Sequence, residues 1–173
     1  MARGYQYSLG EGDLFRIQGN LLIRGTRKDD TLKGKGGDDT ISGDKGDDKL
    51  YGKAGLDSLY GEKDKDRIHG DAGSDYIDGG TGNDQLWGGA DADRFVFKTK
   101  YDKDTILDFE TGDLFTHDTI LLSGLKSVAD YEDLVKNHMR QAGRNVVIDG
   151  GHGDVLVLKK VDIEDLESYH FSF

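Results

Sequence analysis

An apolar residue returns at every ninth position over eight consecutive units of this chain: Leu32, Ile41, Leu50, Leu59, Ile68, Ile77, Leu86 and Phe95. Two residues before each stands an aspartate: Asp30, Asp39, Asp48, Asp57, Asp66, Asp75, Asp84 and Asp93. Seven before each stands a glycine, from Gly25 and Gly34 through Gly79 and Gly88. A nonapeptide cannot bury a face by itself, so a repeat this regular must stack on its neighbours, and a solenoid follows.

Within each unit the glycines imply tight turns with positive φ, and three-residue pieces such as "TIS", "KLY" and "QLW" imply short strands with one side chain inward and two outward. Each nonapeptide is then one strand and one turn, and two complete a coil. Odd repeats form one sheet and even repeats a second, with a stack of loops along each edge. Four coils at a strand spacing of about 4.8 Å give a roll roughly 19 Å long.

One inward apolar side chain per nine residues is a thin core for so much ordered backbone. The aspartates make matters worse, because Asp30, Asp48, Asp66 and Asp84 stack on one edge and Asp39, Asp57, Asp75 and Asp93 on the other, a strand spacing apart, where like charges repel. A cation between consecutive loops resolves both problems. Each gap offers two carboxylates and turn carbonyls drawn from Gly34, Gly36, Gly37, Gly43, Gly46, Gly52, Gly55, Gly70, Gly73, Gly79, Gly80, Gly82 and Gly88. Hard oxygen donors without nitrogen or sulfur suit calcium better than magnesium, which demands stricter octahedral geometry. Six gaps give up to about six Ca2+ ions in the range of extracellular sites. At the fourth repeat position glycine gives way to Lys28, Asp64 and Asp91. Lysine tolerates positive φ less well than aspartate, so the Asp30/Asp48 gap is expected to be weakest and the Asp39/Asp57 and Asp57/Asp75 gaps strongest.

The segment "GGTGNDQLW" resembles the G-G-x-G-x-D-x-apolar-x nonapeptide of the RTX (repeats-in-toxin) family, and "DTILDFETGDLFTHDTILLSGL" with the closing "VVIDGGHGDVLVLKKVDIEDLESYHFSF" looks like the C-terminal region of serralysin-type proteases and related type I-secreted glycanases and epimerases. The resemblance implies an all-β dominated, right-handed parallel β-roll with a mixed β plus one-helix C-terminal cap. It also implies a module that is disordered at low calcium, is handled by type I secretion machinery with a signal at the extreme C-terminus, and folds outside the cell beside a larger exported protein.

The expected organisation is 1–24 as metal-free capping coils, with Leu14 and Ile23 keeping the apolar register and Gly10 and Gly19 the fourth position, 25–96 as the nonapeptide roll, and 97–173 as the cap. In that cap Leu134, Val135, His138, Met139 and Ala142 fall at helical spacing with Gly143 as a stop. "NVVID" and "DVLVLKK" read as a hairpin, and His138 as a packed core histidine. The net charge of −11 excludes nucleic acid as a natural partner, and zero cysteines exclude disulfides and thiolate metal sites. No apolar run reaches the length of a membrane span, "MARGYQYSLG" lacks the core of a secretory signal, and a monomer is expected. H-E-x-x-H and G-x-S-x-G are absent, so the chain reads as non-catalytic. The alternative function is an adhesion or polysaccharide-binding face on the odd-repeat sheet, where Lys49, Tyr51, Arg67, His69 and Trp87 mix cations with aromatics.

Overall fold

The computed structural model describes residues 5–8, 13–17, 19–112 and 116–173, with side-chain surroundings described from residue 19 onward. Three N-terminal strands, β1 (Tyr5–Ser8), β2 (Asp13–Ile17) and β3 (Asn20–Arg24), precede the repeat strands β4 (Thr31–Lys33), β5 (Thr40–Ser42), β6 (Lys49–Ala54), β7 (Ser58–Tyr60), β8 (Arg67–Ala72), β9 (Tyr76–Asp78), β10 (Gln85–Ala90) and β11 (Arg94–Val96). Then come β12 (Lys103–Ile106), β13 (Thr119–Leu121), a short helix α1 (Tyr131–Asp133), β14 (Met139–Ala142), β15 (Asn145–Gly151), β16 (Asp154–Lys159) and β17 (Phe171–Ser172).

The repeat strands sort by parity. β4, β6, β8 and β10 pair in parallel within an eight-stranded sheet, and β5, β7, β9 and β11 within a nine-stranded one. Each register sets an apolar residue over its equivalent 18 positions on: Leu32 on Leu50, Leu50 on Ile68, Ile41 on Leu59. The inward column is sealed, with Ile41, Leu50, Leu59, Ile68 and Ile77 at 0% exposure, which is worth roughly 1.5–3 kcal/mol per side chain. The chain is a two-sheet parallel β-solenoid.

The N-terminal end differs from the expected coils, while the expected mixed β cap with one short helix is present at the other. Leu14 and Ile23 do stand nine apart, but they are partners across the antiparallel pair β2–β3, and β1 adds a third antiparallel strand. A meander therefore closes one edge of the nine-stranded sheet in place of metal-free coils; only β3 joins the parallel stack, with Ile23 over Ile41. Gly10 lies outside the described residues.

Beyond the repeats the solenoid continues: β12 pairs in parallel with β10 and then with β16, and β13 with β11 and then with β17. The expected hairpin is present as β15–β16, with β14 completing a second antiparallel meander. The helix expected over 131–142 is shorter. After α1 the chain makes a π-helical turn, Leu134–His138, and Met139 then leaves as β14 to pair with Ile148. Pairing of an exposed hairpin edge outweighs helical spacing there. His138 is partly buried, and its Nδ1 lies 2.8 Å from the Asp149 carbonyl oxygen.

Candidate metal centre

Seven of the eight fourth-position residues adopt the left-handed backbone that the repeat requires, with φ from 76° at Asp64 and Asp91 to 145° at Gly82; Lys28 does not. The bend turns the chain so that the aspartate two residues later points inward. The result is two buried carboxylate ladders. On one edge Asp48 Oδ1 accepts the backbone N–H of Asp30 at 2.7 Å, Asp66 that of Asp48 at 2.9 Å and Asp84 that of Asp66 at 2.9 Å. On the other, Asp57, Asp75 and Asp93 accept from Asp39, Asp57 and Asp75 at 2.7–2.8 Å.

Each carboxylate thus spends one oxygen pinning the loop of the previous coil. The second oxygen is the informative one. Oδ2 of Asp48, Asp57, Asp66, Asp75, Asp84 and Asp93 is buried with no hydrogen-bond partner among the described residues. A buried ionised oxygen left alone is costly. Burial accordingly pushes these carboxyls up, to about 7 at Asp48 and Asp75, about 6 at Asp57 and Asp84, and about 8 at Asp66 and Asp93, with neighbouring carboxylates adding to the rise and the backbone bonds opposing it.

A carbonyl stands beside each inner orphan. A Cβ added to Gly43 would touch Asp48 Oδ2 and lie 2.8 Å from the Gly61 carbonyl oxygen; at Gly52 the neighbours are Asp57 Oδ2 and the Gly70 carbonyl, 2.7 Å away. The pattern recurs at Gly61 with Asp66 and Gly79, and at Gly70 with Asp75 and Gly88. Glycine is needed there for space. The donors are all hard oxygens, carboxylate plus backbone carbonyl, and among the described residues no group of three or more His, Cys, Asp or Glu side chains could hold a metal. The set fits Ca2+, which accepts mixed carboxylate and carbonyl oxygen.

The first rung of each ladder is different. Asp30 Oδ2 accepts from the Thr26 N–H and hydroxyl, at 2.7 and 2.9 Å, and Asp39 Oδ2 from the Lys35 N–H at 2.8 Å. The backbone bond to Asp39 sets the Asp39/Asp57 gap apart from Asp57/Asp75, with which it was expected to rank equal. Of the expected glycines, Gly43, Gly52, Gly70, Gly79 and Gly88 bring carbonyls to the cradles, and Gly61, not expected, does the same. Gly37, Gly46, Gly55, Gly73, Gly80 and Gly82 instead supply positive-φ turn positions. Gly34 is itself a cradle glycine, facing Asp39 and the Gly52 carbonyl, while Gly36 bridges to Ala54.

Two further aspartates, unmarked by the nine-residue period, extend the ladders. Asp104 Oδ1 accepts the Asp84 N–H at 3.0 Å and Asp118 Oδ1 the Asp93 N–H at 2.9 Å. The signal was the repeated "DTI" at Asp104–Ile106 and Asp118–Ile120, displaced by insertions.

On the odd-repeat face Tyr51, His69 and Trp87 form a column, with ring centroids 5.0 and 4.2 Å apart and planes within 10° of parallel. Lys33 and Lys53 place their ammonium groups 5.5 and 5.3 Å from the Tyr51 ring centroid. The rings cover one another's faces, so the column supports the sheet, and burial lowers the His69 pKa. Lys49 and Arg67 stand beside it, in a groove of about 150 Å³ that Lys65 and Gln85 share with Asp47, Asp48 and Asp66.

The family "RTX calcium-binding nonapeptide repeat" matches residues 24–59, 43–77 and 60–95. No curated protein sequence matches the chain. Among solved structures, the AlgE6R2 subunit of the Azotobacter vinelandii mannuronan C5-epimerase is similar at 24% identity and a TM-score of 0.51, over 87% of this chain and 91% of that one. The AlgE6R3 subunit of the same epimerase gives 25% identity and 0.49, over 86% and 80%. The extracellular lipase LipA of Serratia marcescens gives 14% and 0.49, over 91% of this chain. The chain spans 40% of the length of that lipase. The AlgE6R2 likeness is one of fold. Among the described residues no helix is long and apolar enough to cross a membrane.

Proposed function

Since residues 24–95 belong to the RTX family of calcium-binding nonapeptide repeats, we propose that this chain is a calcium-responsive folding module: expanded where calcium is scarce, and assembled into the β-roll where calcium is abundant. The observation that carries the reading is the row of buried, unpartnered Oδ2 atoms. A metal-free roll must either protonate those oxygens or leave them charged and unsolvated. An unfolded chain carrying −11 charges hydrates them instead. Calcium reverses the balance, and because each inner carboxylate lies between two loops, the coils form together.

Such a switch suits export by a type I machinery, which passes an unfolded chain from a compartment low in calcium to one rich in it. The role at the cell exterior is to fold, and to help fold an upstream partner in a larger secreted protein. The module itself is non-catalytic and acts as a monomer. Titration with calcium, followed by circular dichroism with magnesium and chelator as controls, tests the reading. A cooperative gain of β signal at about 10⁻⁴–10⁻³ M calcium is expected; a folded roll in excess chelator would overturn it.

A second reading, a face for an anionic polysaccharide, draws on Lys49, Lys65 and Arg67, which line one groove together with Asp47, Asp48 and Asp66. Since the ring faces of Tyr51, His69 and Trp87 are taken up by one another, the cations would carry the contact. Replacing Lys49 and Arg67 by alanine should abolish retention on an anionic polysaccharide gel with calcium-dependent folding unchanged; undiminished retention removes this reading.

A further inference from the structure

The last strand of the nine-stranded sheet is held by few bonds. β17 pairs Phe171 with Ile120 and Ser172 with Leu121, and the Leu122 N–H donates to the Ser172 carbonyl at 2.6 Å. Phe171 lies against Tyr131, ring centroids 5.8 Å apart, and the Tyr131 hydroxyl donates to the Leu166 carbonyl at 2.9 Å. Leu166 is thus anchored, and the chain from there to β17 runs through one short 3-10 turn, Ser168–His170.

That turn is built around His170, which is 0% exposed. Its Nδ1 accepts the Glu167 N–H at 2.9 Å. The Glu167 carbonyl, 3.2 Å from the same nitrogen, already accepts the His170 backbone N–H at 3.0 Å. An accepting Nδ1 carries no proton, so the one proton of the neutral ring sits on Nε2. Nε2 is buried with no hydrogen-bond partner among the described residues. The ring meets Phe109, from the segment after β12, at 6.0 Å between centroids, His117, from the chain leading into β13, at 5.2 Å, and Tyr169 at 4.4 Å. The titratable groups facing it are therefore Glu167 and Tyr169 on its own turn and His117 opposite; Phe109 brings no charge.

This ring has no room for a second proton. On Nδ1 a proton would point at the Glu167 N–H and break the bond that closes the turn. The cation would lie buried among rings and beside another imidazole, with Glu167 as the opposite charge. Burial, with His117 adding to it, accordingly holds His170 below the ordinary histidine range, against the pull of Glu167. A lowered folded value means that the released, solvated ring takes up the proton first, so closure is complete above the ordinary range and is lost as pH falls through it.

We propose that His170 is a pH-operated latch on the end of the solenoid: a proton at Nδ1 breaks the bond to Glu167 and releases residues 167–173, leaving β13 as the sheet edge while the roll stays folded. The accepting Nδ1 and the orphaned Nε2 carry the inference, and neither involves the aspartate ladders. Release bares Ile120 and the Leu122 N–H, an open strand edge of the kind that recruits another strand.

Amide hydrogen exchange of the whole chain in saturating calcium tests this, corrected for the intrinsic pH dependence of exchange. Protection at Leu122 should fall by up to about tenfold per pH unit on acidification below about 6.5. Ser58, whose N–H donates to the Asp39 carbonyl inside the roll, should keep its protection. In His170→Asn the side-chain oxygen replaces Nδ1 as acceptor and does not titrate, so protection at Leu122 should not change with pH. A pH dependence at Leu122 that is equal in the parent and in His170→Asn overturns the proposal, as does an equal loss at Ser58 in the parent. Should His170→Asn not give the β signal of the parent, the imidazole nitrogen chemical shifts of the parent decide. Nδ1 must be unprotonated at neutral pH, and the titration of His170 must coincide with the loss of protection at Leu122. A protonated Nδ1 at neutral pH, or a His170 that titrates with Leu122 still protected, overturns the latch.

Discussion

Asp66 holds the backbone N–H of Asp48 with Oδ1 at 2.9 Å and buries its other oxygen with no partner among the described residues. The same residue therefore builds the fold and destabilises it. The first contact sets the stacking distance of the coils, and the second creates a charge that only a proton or a cation can relieve.

Protons and calcium should then compete for the same atoms. Folded metal-free carboxyls sit at about 6 to 8 in the inner rungs, against an ordinary 3.8. A raised folded value means that the metal-free roll is most stable below about pH 4 and loses that stability as pH rises through 6 to 8. In chelator, β signal by circular dichroism should therefore grow on acidification from pH 8 to 4. Calcium affinity should fall over the same interval. A metal-free β signal that grows with rising pH would contradict this.

Substitutions of the ladder should rank by their free oxygens. Asp57→Ala removes an orphaned donor shared by two gaps, while Asp30→Ala removes a carboxylate already satisfied by Thr26. The calcium midpoint should rise several-fold for Asp57→Ala and little for Asp30→Ala. Equal shifts in a dichroism titration would show that the second oxygens do not matter.

Space in the cradle gives an independent check. At Gly52 a methyl group would press on Asp57 Oδ2 and stand 2.7 Å from the Gly70 carbonyl oxygen, both fixed by the sheets. Gly52→Ala should raise the calcium midpoint at least as much as Asp57→Ala. Gly143→Ala meets nothing within 4 Å, although its φ of 65° strains a side chain, and it should affect stability without changing ion count.

The region past the repeats should be needed for folding. Cutting after Lys98 removes β12, β13, β16 and β17, the strands that continue both sheets, and uncovers Phe95 and Phe97, which are now 1% and 0% exposed. The truncated chain should stay unfolded at calcium concentrations that fold the whole one. An unchanged midpoint would show that the roll stands without its last strands.

The part of this account that could be read from the sequence is the part that repeats. A strict period places Leu50 over Ile68 and Asp48 below Asp66 without coordinates. The same counting misleads at Leu14 and Ile23, because a tight antiparallel hairpin can also set two residues nine apart. It overlooks Asp104 and Asp118, since the loops before them are longer, although the "DTI" triplet announces each. The division of labour between Oδ1 and Oδ2 could not be read at all; it depends on which backbone N–H groups the loops present, as Lys35 shows at Asp39 and Glu110 at Asp118.

The most direct test is an anomalous difference map from crystals of the whole chain grown with calcium. Peaks should lie inside the loop gaps at about 2.3–2.6 Å from Oδ2 of Asp48, Asp57, Asp66, Asp75, Asp84 and Asp93. Peaks confined to exposed carboxylates such as Asp47 and Asp64, with the buried oxygens bare, would contradict the claim that calcium is what those oxygens await.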